Sequence, residues 1–566
     1  MSDRQYVLVA VETAHIQPYI FASNRLKENV GASYLVAAAT GLWALETLEK
    51  MQISVNLTGD NTSPFTDQRI EDGHVDAEII YFGGGTIVVL FAEQDLRSEE
   101  FSKHHLPSRA LSRQFIRRLS TRVLVDAPGL KLTFSVAPFS WDEQLSHAVA
   151  DLLTAMKAQR AHQPALIGDG GLGVNIMGAS TSMPAIDMQK DPDDNWQPNW
   201  QPYAAETVAK RAAAEEANRV LRQTLGISRR DYRFALELDD LGRSKEDTSY
   251  IAVVHADGNG LGNFIQALTD NFPADMNREY ISYMRWFSQG VKEVAQRAQR
   301  DMVASILASV YEHEEDCYLV GLTDKATPIK LERRDGQTIL PIRPLVSGGD
   351  DVTFVCDGRI GIDLAVVFLE SFEKYSLELL EESLTACAGV AIVKTHYPFS
   401  RAYDLADELA GSAKQARFLV GKDAPSAIDW HITAGGLYGN LDTMRQREYE
   451  VEDGSLTLRP LFVGDIPRDH TLYRRSWTLM QNIITQFQRF WSGHQNKAEK
   501  LRAVLRKGPI ETAIFSVRYL SDSDSPKLPI AAGFENDGWV DGFCGYYDAL
   551  ELLDKYIPLQ SQEVRD

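Results

Sequence analysis

Two short motifs in this sequence could do chemistry together: DGNGLG at 257–262 and SGGDD at 347–351. Asp257 closes the apolar run SYIAVVHAD (249–257), which reads as a strand. Asp350 and Asp351 sit in the turn of IRPLVSGGDDVTFVCDG (342–358), which reads as a hairpin. Three converging carboxylates repel and raise one another's pKa unless cations lie between them. Hard oxygen ligands select Mg²⁺ or Mn²⁺. Two such ions suit phosphoryl transfer, one activating a 3′-hydroxyl and the other gripping a triphosphate. The residues therefore predict a palm-type, two-metal nucleotidyltransferase site with Asp257, Asp350 and Asp351 as catalytic metal ligands.

The neighbours of these acids fit that chemistry. Gly348 and Gly349 allow a sharp turn and close approach of substrate to the backbone. Gly258, Asn259, Gly260 and Gly262 lie at a strand-to-helix junction, where free backbone N–H groups are expected to cradle phosphate oxygens. Ser347 and Asn259 could touch nucleotide or serve as local turn and cap residues. Lys414, within LADELAGSAKQARFLVG (405–421), could reach the triphosphate or stand as an exposed helix lysine. GGDD alone is ordinary turn composition. Its weight comes from the upstream motif on the correct element.

The elements that must position these residues form an internal repeat. In the first copy YVLVAVE (6–12) reads as a strand, 31–51 as a helix, AEIIYFGGGTIVVLF (77–91) as a hairpin, 108–124 as a helix and KLTFSVAP (131–138) as a strand. The second copy repeats the order, with a strand at 249–257, a helix extending through a long insertion at 278–311, the hairpin at 342–358, a helix at 360–383 and a strand at 386–395. A helix from about Ser400 to Arg417 follows. In a βαββαβ sheet the end of the first strand and the turn between the second and third share one edge, so Asp257 is expected near Asp350 and Asp351. The first copy has Gly85 and Thr86 where the second has its aspartates, and only Glu12 matches Asp257. One carboxylate cannot hold two metals, so that copy is expected to be catalytically silent.

The fold class expected is α+β, with two ferredoxin-like βαββαβ palm domains. The first, degenerate palm spans 1–150, a helical and loop linker 151–245, the second, active palm 246–434, and a helical C-terminal domain 435–566. The helix at 206–226 alternates in charge and reads as a solvated face. A Gly-, Asp- and Pro-rich loop covers 168–203.

Bulk composition narrows the alternatives. With 566 residues the chain is long for one domain. Its 44% hydrophobic and 24% charged content is that of a globular protein. No apolar run approaches the ~20 residues of a spanning helix, and MSDRQYVLVAVE lacks a signal-peptide pattern, so a cytoplasmic location is expected. The four cysteines lie far apart without a CxxC pair, which indicates neither a disulfide framework nor a zinc ribbon. A net charge of -21 argues against nonspecific duplex binding, which draws on Lys and Arg displacing counterions.

Taken together the motifs resemble the large, polymerase-like subunit of type III CRISPR effector complexes. HIQPYIFASNRLKENVGASYL (15–35) looks like the opening of that family's first palm, and HADGNGLG with SGGDD like its second. YPFSRAYDLADELAGSAK (397–414) and AEKLRAVLRKG (498–508) are similar to the segment after the last strand and to the C-terminal helical domain. The resemblance implies an enzyme that joins ATP by 3′–5′ linkages into cyclic oligoadenylate messengers in antiviral defence, with guide RNA and other effector subunits as partners. Two departures stand out. There is no His-Asp dipeptide, so cleavage by an HD nuclease is not expected, and VNIMGASTSMPAIDM (174–188) carries no cysteine where relatives have a zinc module, so no structural zinc is expected. A scaffold subunit without catalysis and a template-dependent polymerase are the rival readings.

Overall fold

The computed structural model describes the chain except residues 1–4, 59–64, 94–109, 163–173, 182, 191–199, 228–230, 242–248, 315, 323–327, 434–438, 492, 522–524, 532, 535–536 and 561–566. Residues 168–173, 182 and 191–199 of the Gly-, Asp- and Pro-rich loop, and the expected boundaries near 245 and 434, lie outside the described residues, and within that loop Ala185–Lys190 and Trp200–Ala204 pair as antiparallel strands. The architecture is mixed α and β. It divides into two compact units, residues 1–220 with 260–293, and residues 221–259 with 294–566.

The first unit is built on a four-stranded antiparallel sheet of β1 (Gln5–Ala14), β2 (Ala77–Gly83), β3 (Thr86–Glu93) and β4 (Lys131–Phe139), in the order β2-β3-β1-β4. This is the ferredoxin-like order expected of a βαββαβ repeat. Central β1 is buried from Tyr6 to Val11, as its almost unbroken apolar run requires. β2 and β3 join through Gly84 and Gly85, whose φ angles of 56° and 78° are what a type I′ turn needs. The helix expected at 31–51 is two helices, α1 (Leu26–Thr40) and α2 (Leu42–Glu49), broken at Gly41. α3 (Leu111–Asp126) follows the hairpin. Gly31 is where α1 meets the chain at Lys210 so closely that a Cβ would run into the Lys210 carbonyl oxygen. The buried carboxylate of Glu78 takes hydrogen bonds from Arg278 at 2.6 Å and Arg285 at 2.7 Å. Burial alone would raise its pKa, but the two guanidiniums outweigh that and hold it below the usual range.

The second unit carries a six-stranded sheet. In chain order its strands are β5 (Tyr250–Gly258), β6 (Ile342–Ser347), β7 (Val352–Asp357), β8 (Ala386–Lys394), β9 (Ser426–Ile432) and β10 (Leu461–Val463). Their spatial order is β6-β7-β5-β8-β9-β10. The first four repeat the order of the other sheet. β9 and β10 extend it, β9 parallel to β8 and β10 antiparallel to β9. Two helices cover the sheet, α4 (Gly361–Leu380) and α5 (Phe399–Val420), the latter linking β8 to β9. Gly389 of β8 is the point of closest approach, since a Cβ there would strike the backbone of Ala406 and Ala410 on α5.

Two further expectations are corrected. The helix opening after DGNGLG does not run on into the insertion: Leu261–Leu268 ends in two short 3₁₀ turns around Pro273, and the long helix starts afresh at Asn277 and ends at Ala308. Pro273 lacks an N–H to continue a helix. Residues 476–508 hold two helices, Trp477–Trp491 and Gln495–Leu505, with Gly493 at φ 83° between them. The region beyond 435 is not helical alone. β10 joins the large sheet, and four two-residue strands, 450–451, 454–455, 543–544 and 539–540, form a small sheet of their own. Arg459 anchors this region. Its guanidinium is buried against Asp548 at 2.9 Å and lies over the rings of Trp430 and Tyr449.

Candidate active site

The register of β5 brings the two motifs together. Ala256 faces Val352 across the β5–β7 ladder, so Asp257, one residue on, ends level with the turn that carries Asp350 and Asp351. That turn is the four-residue connection 348–351. It is closed by the Gly348 N–H donating to the Asp351 carbonyl oxygen at 2.9 Å, and Gly349 adopts φ 102°, a value that suits glycine. The Gly258 N–H donates to the Asp350 carbonyl oxygen at 3.2 Å, which pins strand end to turn.

α5 runs beside this edge and delivers Lys414, whose ammonium pairs with the Asp257 carboxylate. The expected lysine is therefore at the acids rather than out on a solvated helix face. Asp350 is raised above the usual carboxylate pKa by burial and then by the charge of Asp257. Asp351 is pushed up to about 7 by burial, then by Asp257, Asp350 and Asp407, with Lys414 opposing. Its side chain keeps 44% of its surface open, yet the Oδ1 atom is closed off without a hydrogen-bond partner.

The donor set has the chemistry for a hard divalent cation: three carboxylates at one sheet edge, two of them pushed toward the protonated form by burial and then by neighbouring charge, and one orphaned oxygen. Among the described residues, though, no three His, Cys, Asp or Glu side chains converge closely enough to hold an ion as they stand.

The backbone donors expected to cradle phosphate are partly committed elsewhere. The N–H groups of Gly258 and Gly348 hold the turn, and that of Asn259 donates to the Thr385 carbonyl oxygen at 2.8 Å. The Asn259 amide also donates to Thr385 Oγ1 at 3.0 Å, so this residue is a local brace. Ser347 is tied too, its Oγ accepting from Gln299 Nε2 at 2.8 Å. Gly260 and Gly262 lie in the other unit, at the start of the helix Leu261–Leu268. Gly260 has φ 73° and Gly262 is exposed.

Two residues at the site carry no role in the sequence reading. His255, two positions before Asp257 and on the same face of β5, is buried at 4% exposure. Its Nδ1 lies 3.2 Å from Thr353 Oγ1 and 3.4 Å from Asp351 Oδ1, and its Nε2 lies 3.4 Å from Asp407 Oδ1. Asp407 is seven residues before Lys414 on α5, hence on the same helix face. These two spacings, i and i+2 on a strand and i and i+7 on a helix, are the signal that could have found them. A cleft of about 520 Å³ opens alongside, lined by His255, Asp257, Asp407, Lys414, Asn440 and Asp442 among others.

The corresponding edge of the first sheet has a different chemistry. Glu12 faces Thr86 across β1 and β3, and its Oε1 accepts from Arg160 Nη1 at 3.1 Å. Thr13 donates its N–H to the Gly85 carbonyl oxygen at 3.0 Å.

The sheet order, the turn bearing paired aspartates and the lysine on the following helix define a palm domain. The family model described as Cas10/Cmr2, second palm domain, matches residues 250–424, which bears out over that span the resemblance read from the motifs. Solved structures that match include Csm1 from T. onnurineus, at 12% identity and TM-score 0.46, covering 98% of this chain and 70% of that one. A Csm1–Csm4 cassette in complex with pppApA shares 12% identity at TM-score 0.46, over 97% and 69% of the two chains. The cassette in complex with cA4 shares 12% at TM-score 0.44, over 97% and 70%. No curated protein matches this chain.

Proposed function

We propose that this protein is a metal-dependent nucleotidyltransferase that joins ATP into cyclic oligoadenylates as the large subunit of a type III CRISPR effector, working in the cytoplasm with guide RNA and partner subunits. The observation that carries the reading is the meeting of Asp257, Asp350, Asp351 and Lys414 at one edge of a Cas10/Cmr2 palm. Bound at Asp257, Asp350 and Asp351, two Mg²⁺ or Mn²⁺ ions would activate a 3′-hydroxyl and neutralise the charge of the in-line transfer. The chain's own residues do the positioning. Lys414 supplies a cation for the triphosphate from a rigid helix, and the turn 348–351, pinned to β5 through Gly258, holds the acids in place. The first repeat is a degenerate palm in this reading, since Glu12 is engaged by Arg160 and no aspartate stands at the turn. The division proposed is a first palm over 1–150, a linker without zinc over 151–245, the active palm over 246–434, and a C-terminal domain over 435–566.

The test is incubation of the purified chain, alone and with target RNA and partner subunits, with labelled ATP and Mg²⁺ or Mn²⁺. Cyclic or linear oligoadenylate that disappears in the Asp350→Ala, Asp351→Ala double variant supports the reading. No product in any of these states sinks it and leaves the scaffold role.

A further inference from the structure

We infer that His255 is a positioning residue for the Asp351 carboxylate, acting as a buried strut between the metal-facing turn and α5; the inference rests on the nucleotidyltransferase reading of the site. The ring is fixed on every side. Nδ1 meets Thr353 Oγ1 at 3.2 Å from the neighbouring strand, Nε2 faces Asp407 Oδ1 at 3.4 Å from α5, and Tyr403 of the same helix packs edge-on with ring centroids 5.4 Å apart. On the other flank of β5 the residue paired with His255 is Gly389, which brings α5 in close enough for Tyr403 and Asp407 to reach the ring.

A histidine that only filled core space would satisfy its nitrogens with hydroxyl or backbone groups. Here Nδ1 has such a hydroxyl in Thr353, but each nitrogen also lies 3.4 Å from a carboxylate oxygen, and one of these belongs to the GGDD turn. The contact from Nδ1 to Asp351 is 3.4 Å, longer than a formed hydrogen bond, and the oxygen it approaches is the one without a partner. A small rotation of the Asp351 side chain closes that gap, and the carboxylate then presents its second oxygen to the site in a single orientation. Side chains that hold a ligating group in this way typically change metal affinity about 10- to 100-fold when removed.

The experiment uses the full chain with Mn²⁺ as probe, following free Mn²⁺ by electron paramagnetic resonance and product formation by steady-state kinetics. His255→Ala is expected to weaken Mn²⁺ binding by about 10- to 100-fold, and to lower kcat while leaving the KM for ATP at saturating Mn²⁺ unchanged. His255→Asn, whose amide falls near the position of Nδ1, is expected to restore most of the affinity. Where His255→Ala does not fold, His255→Leu fills the space without a polar group and carries the same expectation. A folded Ala or Leu variant that binds Mn²⁺ as the wild type does, or an Asn variant no better than Leu, overturns the inference alone. A wild-type chain that neither binds Mn²⁺ nor converts ATP overturns the reading of the site, and the inference with it.

Discussion

Asp351 is the residue on which the electrostatics of the site turn. A value near 7, against the ordinary carboxylate range near 4, means that the fold favours its protonated form. Its contribution to stability is therefore full below about pH 4 and is lost as the pH rises through about 7. A divalent cation competes with that proton. Apparent Mn²⁺ affinity is expected to tighten about tenfold between pH 6 and pH 8 as one proton is displaced, and the cation-induced gain in Tm should be larger at pH 8; calorimetry at the two pH values checks both. Lys414 balances the same acids. Lys414→Ala is expected to raise the KM for ATP roughly 10- to 100-fold, the value of a charge-assisted hydrogen bond, with product still formed. Initial rates across ATP concentrations check it, and an unchanged KM would assign the lysine to Asp257 alone.

Among the elements, α5 decides whether the site exists. It packs on β8, β9 and β5, and carries Asp407 and Lys414 toward the end of β5. Its depth is set at Gly389, where any side chain meets the helix backbone. Gly389→Val is expected to destabilise the second unit by ~1–3 kcal/mol through overpacking and to lower activity further by lifting Lys414 off Asp257. Urea unfolding with parallel activity assays separates the two effects, and a variant stable and active as the wild type would remove α5 from the account. The turn 348–351 works differently. It is short and held by two backbone hydrogen bonds, one within the turn from Gly348 and one from Gly258 at the end of β5.

For the whole molecule, the second unit is tied to its C-terminal region through a buried charged cluster. Arg459 meets Asp548 at 2.9 Å and Glu551 at 3.5 Å, and a second pair joins Arg445 of the helix Leu441–Tyr449 to Asp429 of β9. Burial pushes Asp548 up to about 6 even with Arg459 beside it, which marks how fully this cluster is withdrawn from water. Removing one partner of a buried pair leaves the other charge uncompensated. Arg459→Met is expected to destabilise the unit by ~3–5 kcal/mol, and a urea midpoint within error of the wild type would show that the cluster is not structural.

The local pattern of residues was enough to fix the two βαββαβ repeats, the strand ends and turns that bear Asp257, Asp350 and Asp351, and the helix that bears Lys414. Each of these depends on periodicity or on glycine at a turn, which act over a few residues. What the chain order could not reveal is which groups meet after packing. The commitment of the Gly258, Asn259 and Gly348 N–H groups, the bond from Arg160 to Glu12 and the lodging of His255 between Asp351 and Asp407 join residues far apart in the chain, 148 positions for Arg160 and Glu12 and more for His255 and Asp407. Strands β9 and β10 join their sheet only because β8 and α5 offer an edge, a condition no short window of sequence contains. Tertiary structure alone decided these, because a side chain's partners are chosen by where whole elements cross, and its pKa by the charges gathered there.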